Sequence, residues 1–157
     1  MGHDKEGTLY KDYFKNFDYY TLDKNIPDDS LTHIKMDIHE LGKLGNKYDL
    51  VLLMSVLEHV ENPFKVSEEI INIMNNNGYL YLAVPFFYPI HKSLNLGFSD
   101  YWRFTDDAIK ILFKDLNLIW LEEIPSVIKA IDDRMTYWDN SHTIVSGYCA
   151  LFKKNKN

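Results

Sequence analysis

One cysteine, Cys149, is all that the 157 residues contain. An internal disulfide is excluded, and so is a metal site built from cysteines. Positive charge is also scarce: 17 Lys and Arg stand against 23 Asp and Glu, for a net charge of −6. A protein that tracks a phosphate backbone needs a basic stripe, and the only basic cluster is the tail KKNKN (153–157). No nucleic-acid partner is expected. No apolar run reaches membrane-spanning length, so no membrane partner is expected either. The opening MGHDKEG is charged and leads into no apolar core. It does not read as a signal peptide, which makes a cytoplasmic location the expectation. The Gly-x-x-x-x-Gly-Lys-Ser/Thr phosphate loop, the His-Glu-x-x-His zinc motif and the Gly-x-Ser-x-Gly nucleophile elbow are all missing. His33, His39, His59, His91 and His142 are scattered without ligand spacing, so no metal is expected.

What is there supports a packed chain. Hydrophobic residues make up 46% and aromatics 15%, which excludes disorder. The length suits one domain over residues 1–157. FDYYTLD (17–23) and LTHIKMDI (31–38) read as strands that end near acids. YDLVLLMSVL (48–57) is an apolar run without alternation, as expected where both faces of a sheet are covered. Residues 62–78 have helical spacing, with Pro63 in the first turn and Gly78 as the stop. A strand over 79–86 follows, closed by Pro85. Residues 105–117 read as a helix capped by Thr105, with Asp106 and Asp107 at its positive end. Strands over 118–124 and 145–154 complete the pattern, and 125–144 has room for a short helix. Strands alternating with helices predict an α/β fold with a mostly parallel sheet and one antiparallel terminal strand.

In open α/β sheets ligands sit beyond the carboxyl ends of the strands. Asp23 ends the first such strand, 21 residues after Gly2. A glycine turn with an acid about 20 residues on is a nucleoside-binding spacing. The same aspartate also fits a plain turn before KNIPDD. Asp37 ends the next strand, where it suits either an adenine amino group or the cap of IHEL. Ser55 and Val56 close the strongest strand, as cofactor-pocket lining or as core. Glu58 and His59 follow directly, and His59 is a proton acceptor or a brace for the next helix. The long loop over 84–105 gathers His91, Asp100, Tyr101, Trp102 and Arg103. It reads as a substrate pocket, or as a loop that packs its own aromatics around an Asp100–Arg103 ion pair.

YDLVLLMSVLEHVENPFKVSEEIINIMNNNGYLYLAVPF, continued by H…SDYWRFT, resembles the second half of a class I S-adenosylmethionine-dependent methyltransferase. The continuation is similar to the small methyltransferase-11-like subgroup, often associated with surface-glycan pathways. The resemblance implies a Rossmann-like fold, a seven-stranded sheet with an antiparallel last strand, and S-adenosylmethionine as cofactor. It implies methyl transfer to a small-molecule or sugar acceptor. It assigns Asp23 and the adjacent Lys24 to the ribose end of the cofactor, and Asp37 with Ile38 to the adenine. Ser55 and Val56 fall to the methionine part, and His91, His59 and Tyr101 to the acceptor side as catalytic candidates.

The family begins with a strand that ends in a Gly-x-Gly-x-Gly turn. Here that strand is missing and the turn is reduced to MGHDKEG, with Gly2 matching an early glycine. An N-terminal truncation is one explanation. A strand donated by another chain, as in a swapped homodimer, is a second. Direct pairing of the strands that end at Asp23 and Leu57 is a third. Two other functions compete with methyl transfer: a non-catalytic methyltransferase-fold binding module, and a nucleotide-linked oxidoreductase.

Overall fold

A computed structural model of the chain describes residues 13–25, 33–93, 95, 97–125 and 145–156. Two short strands, β1 (Thr21–Asp23) and β2 (His33–Lys35), pair in parallel with Thr21 opposite His33. Four longer strands make a second sheet: β3 (Tyr48–Met54), β4 (Met74–Pro85), β5 (Asn117–Pro125) and β6 (Val145–Lys153). Their order is β3-β4-β6-β5. β3 runs parallel to β4, while β6 is antiparallel to both of its neighbours. The antiparallel last strand and the α/β class are as the sequence predicts.

The helix α1 (Pro63–Ile73) links β3 to β4, and α2 (Asp106–Leu112) precedes β5. Asn62 caps α1 by accepting the Lys65 amide at 3.0 Å, and Pro63 fills the first helical position. The buried stripe of α1 is Val66, Ile70 and Ile73. It packs with Leu80, Leu82 and Val84 of β4 and with Phe152 of β6 in one core. Phe113, just past α2, meets Phe152 at a ring separation of 5.3 Å. Each fully buried side chain of this size contributes about 1.5–3 kcal/mol.

Several expected boundaries shift, β3 ending at Met54 and β4 starting at Met74 among them. α1 stops at Ile73, because Met74 already has strand geometry; Gly78 lies inside β4 and does not end the helix. Gly78 is needed there for another reason: a Cβ would stand 2.9 Å from the Asn75 carbonyl and 3.1 Å from that of Tyr48. α2 ends at Leu112, and a turn closed by the Leu116 amide on the Phe113 carbonyl (2.9 Å) delivers the chain to β5. β1 covers only the last three residues of the expected strand. Its aromatic half pairs locally instead, with Phe14 stacked on Tyr19 and edge-on to Phe17. The segment 126–144, expected to hold a short helix, lies outside the described residues, as does Gly2.

The described residues form six strands in two sheets, where the resemblance implies one sheet of seven. β1 has only β2 as a described strand neighbour, and β3 has only β4. Direct pairing of β1 with β3 is therefore not the arrangement among the described residues. Residues of both strands line one cavity of about 1460 Å³. Among the described residues no helix is long and apolar enough to cross a membrane.

Candidate functional site

The carboxyl ends of β1, β2 and β3 all contribute to this cavity. Asp23 is buried at the end of β1, and its Oδ1 accepts the Asn25 amide at 2.8 Å. That turn fixes the carboxylate at the cavity wall. Asp37 caps the 3-10 helix Ile38–Leu44: its Oδ1 accepts the His39 amide at 2.9 Å and lies 2.7 Å from His39 Nδ1. The His39 amide is the main reason its carboxyl is held below the ordinary value. Lys24 Nζ stands 3.7 Å from Asp37 Oδ2, joining the ends of β1 and β2 by a solvent-exposed ion pair. Asp23, Lys24, Asp37, Ile38 and Val56 all line the cavity. Ser55 is exposed and does not. Its φ of 50° is left-handed, and its amide is held by the Ala83 carbonyl at 2.9 Å. A non-glycine residue in that region is uncommon, and it turns the chain sharply off the end of β3.

The turn leads into the 3-10 helix Leu57–His59. Because β3 and β4 are parallel neighbours, with Met54 opposite Ala83, the segment after β3 meets the long loop after β4. Glu58 and His91 come together there, although 33 residues separate them in the chain. The backbone secures the junction: the Tyr101 amide donates to the Glu58 carbonyl at 2.7 Å, and Trp102 Nε1 donates to the Val60 carbonyl at 2.8 Å. His59 and Tyr101 also line the cavity, so the two sets of predicted residues meet at its wall. His91 is not among the lining residues.

Arg103 braces the loop. Its guanidinium meets Asp100 through two nitrogens, at 2.5 and 2.8 Å. It also donates to the carbonyls of Tyr88 and Pro89 at 3.1–3.3 Å. This pair holds the almost fully buried Asp100 carboxyl far below the usual carboxylate range. Arg103 and Trp102 are thus structural members of the loop. Asp100 in turn accepts the His91 amide at 2.8 Å, and its Oδ2 lies 3.2 Å from His91 Nδ1.

Glu58 is held differently. It is completely buried, and neither carboxylate oxygen has a hydrogen-bond partner among the described residues. Burial pushes its carboxyl above the ordinary value. Burial likewise lowers His59, whose Nδ1 lies 2.5 Å from the Ser99 carbonyl. Spacing in the sequence does not single out Glu58 as a site residue. Its one signal there is position, an acid just past the carboxyl end of the strongest apolar strand.

A family model described as a methyltransferase domain matches residues 8–138. Among solved structures, TehB from Haemophilus influenzae superposes with a TM-score of 0.53 at 15% identity, covering 79% of this chain and 41% of its own. The N-methyltransferase NodS from Bradyrhizobium japonicum, in complex with S-adenosyl-L-homocysteine, gives 0.53 at 13% identity, covering 80% and 55%. An S-adenosylmethionine-dependent methyltransferase from Clostridium acetobutylicum gives 0.55 at 11% identity, covering 81% and 66%. The chain thus spans about two-fifths to two-thirds of the length of these structures. No curated protein matches it in sequence. The two sheets, the antiparallel last strand and the match over 8–138 lead to one assignment: the chain belongs to the methyltransferase-domain family and has its Rossmann-like class I fold.

Proposed function

We propose that the chain binds S-adenosylmethionine in the cavity beyond β1, β2 and β3 and serves methyl transfer to a small-molecule or sugar acceptor. The observation that carries this is the meeting of Asp23, Lys24, Asp37, Ile38 and Val56 around one cavity of about 1460 Å³. The fit is chemical as well as spatial. A ribose offers hydroxyl donors, and Asp23 is a buried acceptor fixed at a strand end. An adenine offers an amino donor and a flat apolar face, and Asp37 and Ile38 lie side by side at the next strand end. NodS, which has the same fold, was solved in complex with S-adenosyl-L-homocysteine.

The cofactor supplies a methyl group that is already activated by its sulfonium. The chain's residues then have to align an acceptor and shield it. The loop 86–103 is suited to both roles. Its tip is aromatic, with Phe87, Tyr88 and Tyr101 half exposed, while its base is fixed by Arg103. Where the acceptor must lose a proton, His59 or His91 is the base. Each ring places Nδ1 against a carbonyl, which leaves the lone pair on Nε2. Tyr101, whose hydroxyl donates to Glu61 at 3.3 Å, lines the cavity beside His59 as an acceptor-positioning residue. A sugar acceptor in surface-glycan synthesis agrees with the flat aromatic and polar surfaces of this loop.

Calorimetric titration with S-adenosyl-L-homocysteine tests the reading. Binding is expected, and Asp23→Ala should weaken it at least tenfold while the far-ultraviolet circular dichroism stays unchanged. Absence of binding at millimolar ligand would overturn the proposal in favour of a non-catalytic binding module.

A further inference from the structure

We propose that Glu58, His59 and His91 form a site for one divalent transition-metal ion, with zinc the closest match. Glu58 Oε1 stands 3.7 Å from His59 Nε2 and 3.8 Å from His91 Nε2. One ligand atom from each residue lies within 4.8 Å of the others. Atoms bound to a shared zinc at about 2.0–2.2 Å lie roughly 3–4 Å apart, so side-chain movements of up to about 1 Å complete the contact.

The protonation pattern is already the one that metal ligands need. His59 Nδ1 faces the Ser99 carbonyl at 2.5 Å, and His91 Nδ1 faces the Pro89 carbonyl at 3.1 Å. A carbonyl only accepts, so both protons sit on Nδ1 and both lone pairs sit on Nε2, the atoms nearest Glu58. Asp100 stands behind His91 Nδ1 at 3.2 Å and is itself anchored by Arg103. That is the carboxylate–histidine support which orients metal-bound imidazoles. The rings cross edge-to-face at 4.8 Å, and Phe98 packs on the His59 ring at 4.7 Å, restricting its rotation.

The second, independent observation is Glu58. A fully buried carboxylate with both oxygens unpartnered costs several kcal/mol unless it is neutralised or finds a cation. Among the described residues no lysine or arginine is paired with Glu58, and the Arg103 guanidinium is committed to Asp100 and two carbonyls. A divalent ion satisfies Glu58 and both lone pairs at once. Two imidazoles and one carboxylate suit zinc and its first-row neighbours better than calcium or magnesium, which favour all-oxygen shells. Access is open from one side, since a third of the His91 side chain is exposed.

The site adjoins the cavity through His59. On the methyl-transfer reading, which this consequence alone rests on, an acceptor hydroxyl bound to the ion would lose its proton more readily. The ion would stabilise the alkoxide as a Lewis acid while the proton passes to solvent water, because both Nε2 lone pairs would be held by the ion.

Metal binding is measured on the intact chain without cofactor, so the result is independent of methyl transfer. After EDTA treatment and dialysis, zinc titration should give one equivalent bound at micromolar affinity or tighter. Cobalt should give an intense visible band from a low-symmetry site. His91→Ala, in the half-exposed loop, should weaken zinc binding at least 100-fold, and Glu58→Gln should do so with both imidazoles retained. Circular dichroism checks that both variants fold. Zinc binding that is absent, or unchanged in both variants, would overturn the site. Cofactor titration in EDTA separates the two proposals, because it tests the cavity with the metal removed.

Discussion

Four acids sit near the carboxyl ends of strands or in the loop that follows β4, and the two sides of the molecule hold theirs in different ways. On the β1–β2 side, Asp23 and Asp37 accept backbone amides from two residues further along. On the β3–β4 side, Asp100 accepts the amide of His91, nine residues back, and pairs with a guanidinium that also gathers two distant carbonyls. Glu58 has no hydrogen-bond partner among the described residues. The first pair is built by local turns. The second is built by tertiary packing, and it bears most of the electrostatic cost. An acid fixed locally needs only its own turn, even where it is buried like Asp23, whereas one fixed through the fold depends on distant partners.

The comparison breaks most visibly at Asp100. Asp100→Ala should leave Arg103 without its partner and release the loop, at a cost of about 3 kcal/mol in urea unfolding. A loss below about 1 kcal/mol would mean that the loop is held by its aromatics alone. Asp37→Ala removes only a cap and should cost about 1 kcal/mol. Its effect should also depend on pH. The folded-state value of Asp37 is lowered, so its contribution is present above the ordinary value near 4 and fades as pH falls through the folded-state value. The stability gap between the parent chain and Asp37→Ala should therefore be full at pH 7 and narrow below about pH 4. Lys24→Ala should change stability least, by under about 0.5 kcal/mol, because its ion pair with Asp37 is exposed and long. Thermal melts of the three variants in one buffer would give the ranking directly.

The same contrast explains what could be read from the chain. β6 and the apolar half of β4 are buried runs that the residues alone foretell, whereas β3, expected to be covered on both faces, has only Leu53 buried. The Asp37 and Thr105 caps follow from short-range spacing, and both are present at 2.9 and 3.2 Å. Gly78 misled, because a glycine after a helical pattern signals a stop, whereas here it admits neighbouring carbonyls inside a strand. The Glu58–His59–His91 cluster could not be read from spacing at all. Its members meet only because two parallel neighbours, β3 and β4, end side by side. The expectation that the histidines lacked ligand spacing was sound as arithmetic on the sequence, but ligand sets close in space.

Among the described residues, β1 and β3 each have one side without a strand beside it. A strand without a neighbour presents a row of amides and carbonyls to any extended polypeptide, and β1 and β3 each have only one described strand neighbour. Leu50 of β3 is also 40% exposed, which adds apolar surface to such a row. Among the described residues, these two strands are thus where an added extended segment would find pairing groups, whatever the net charge of −6.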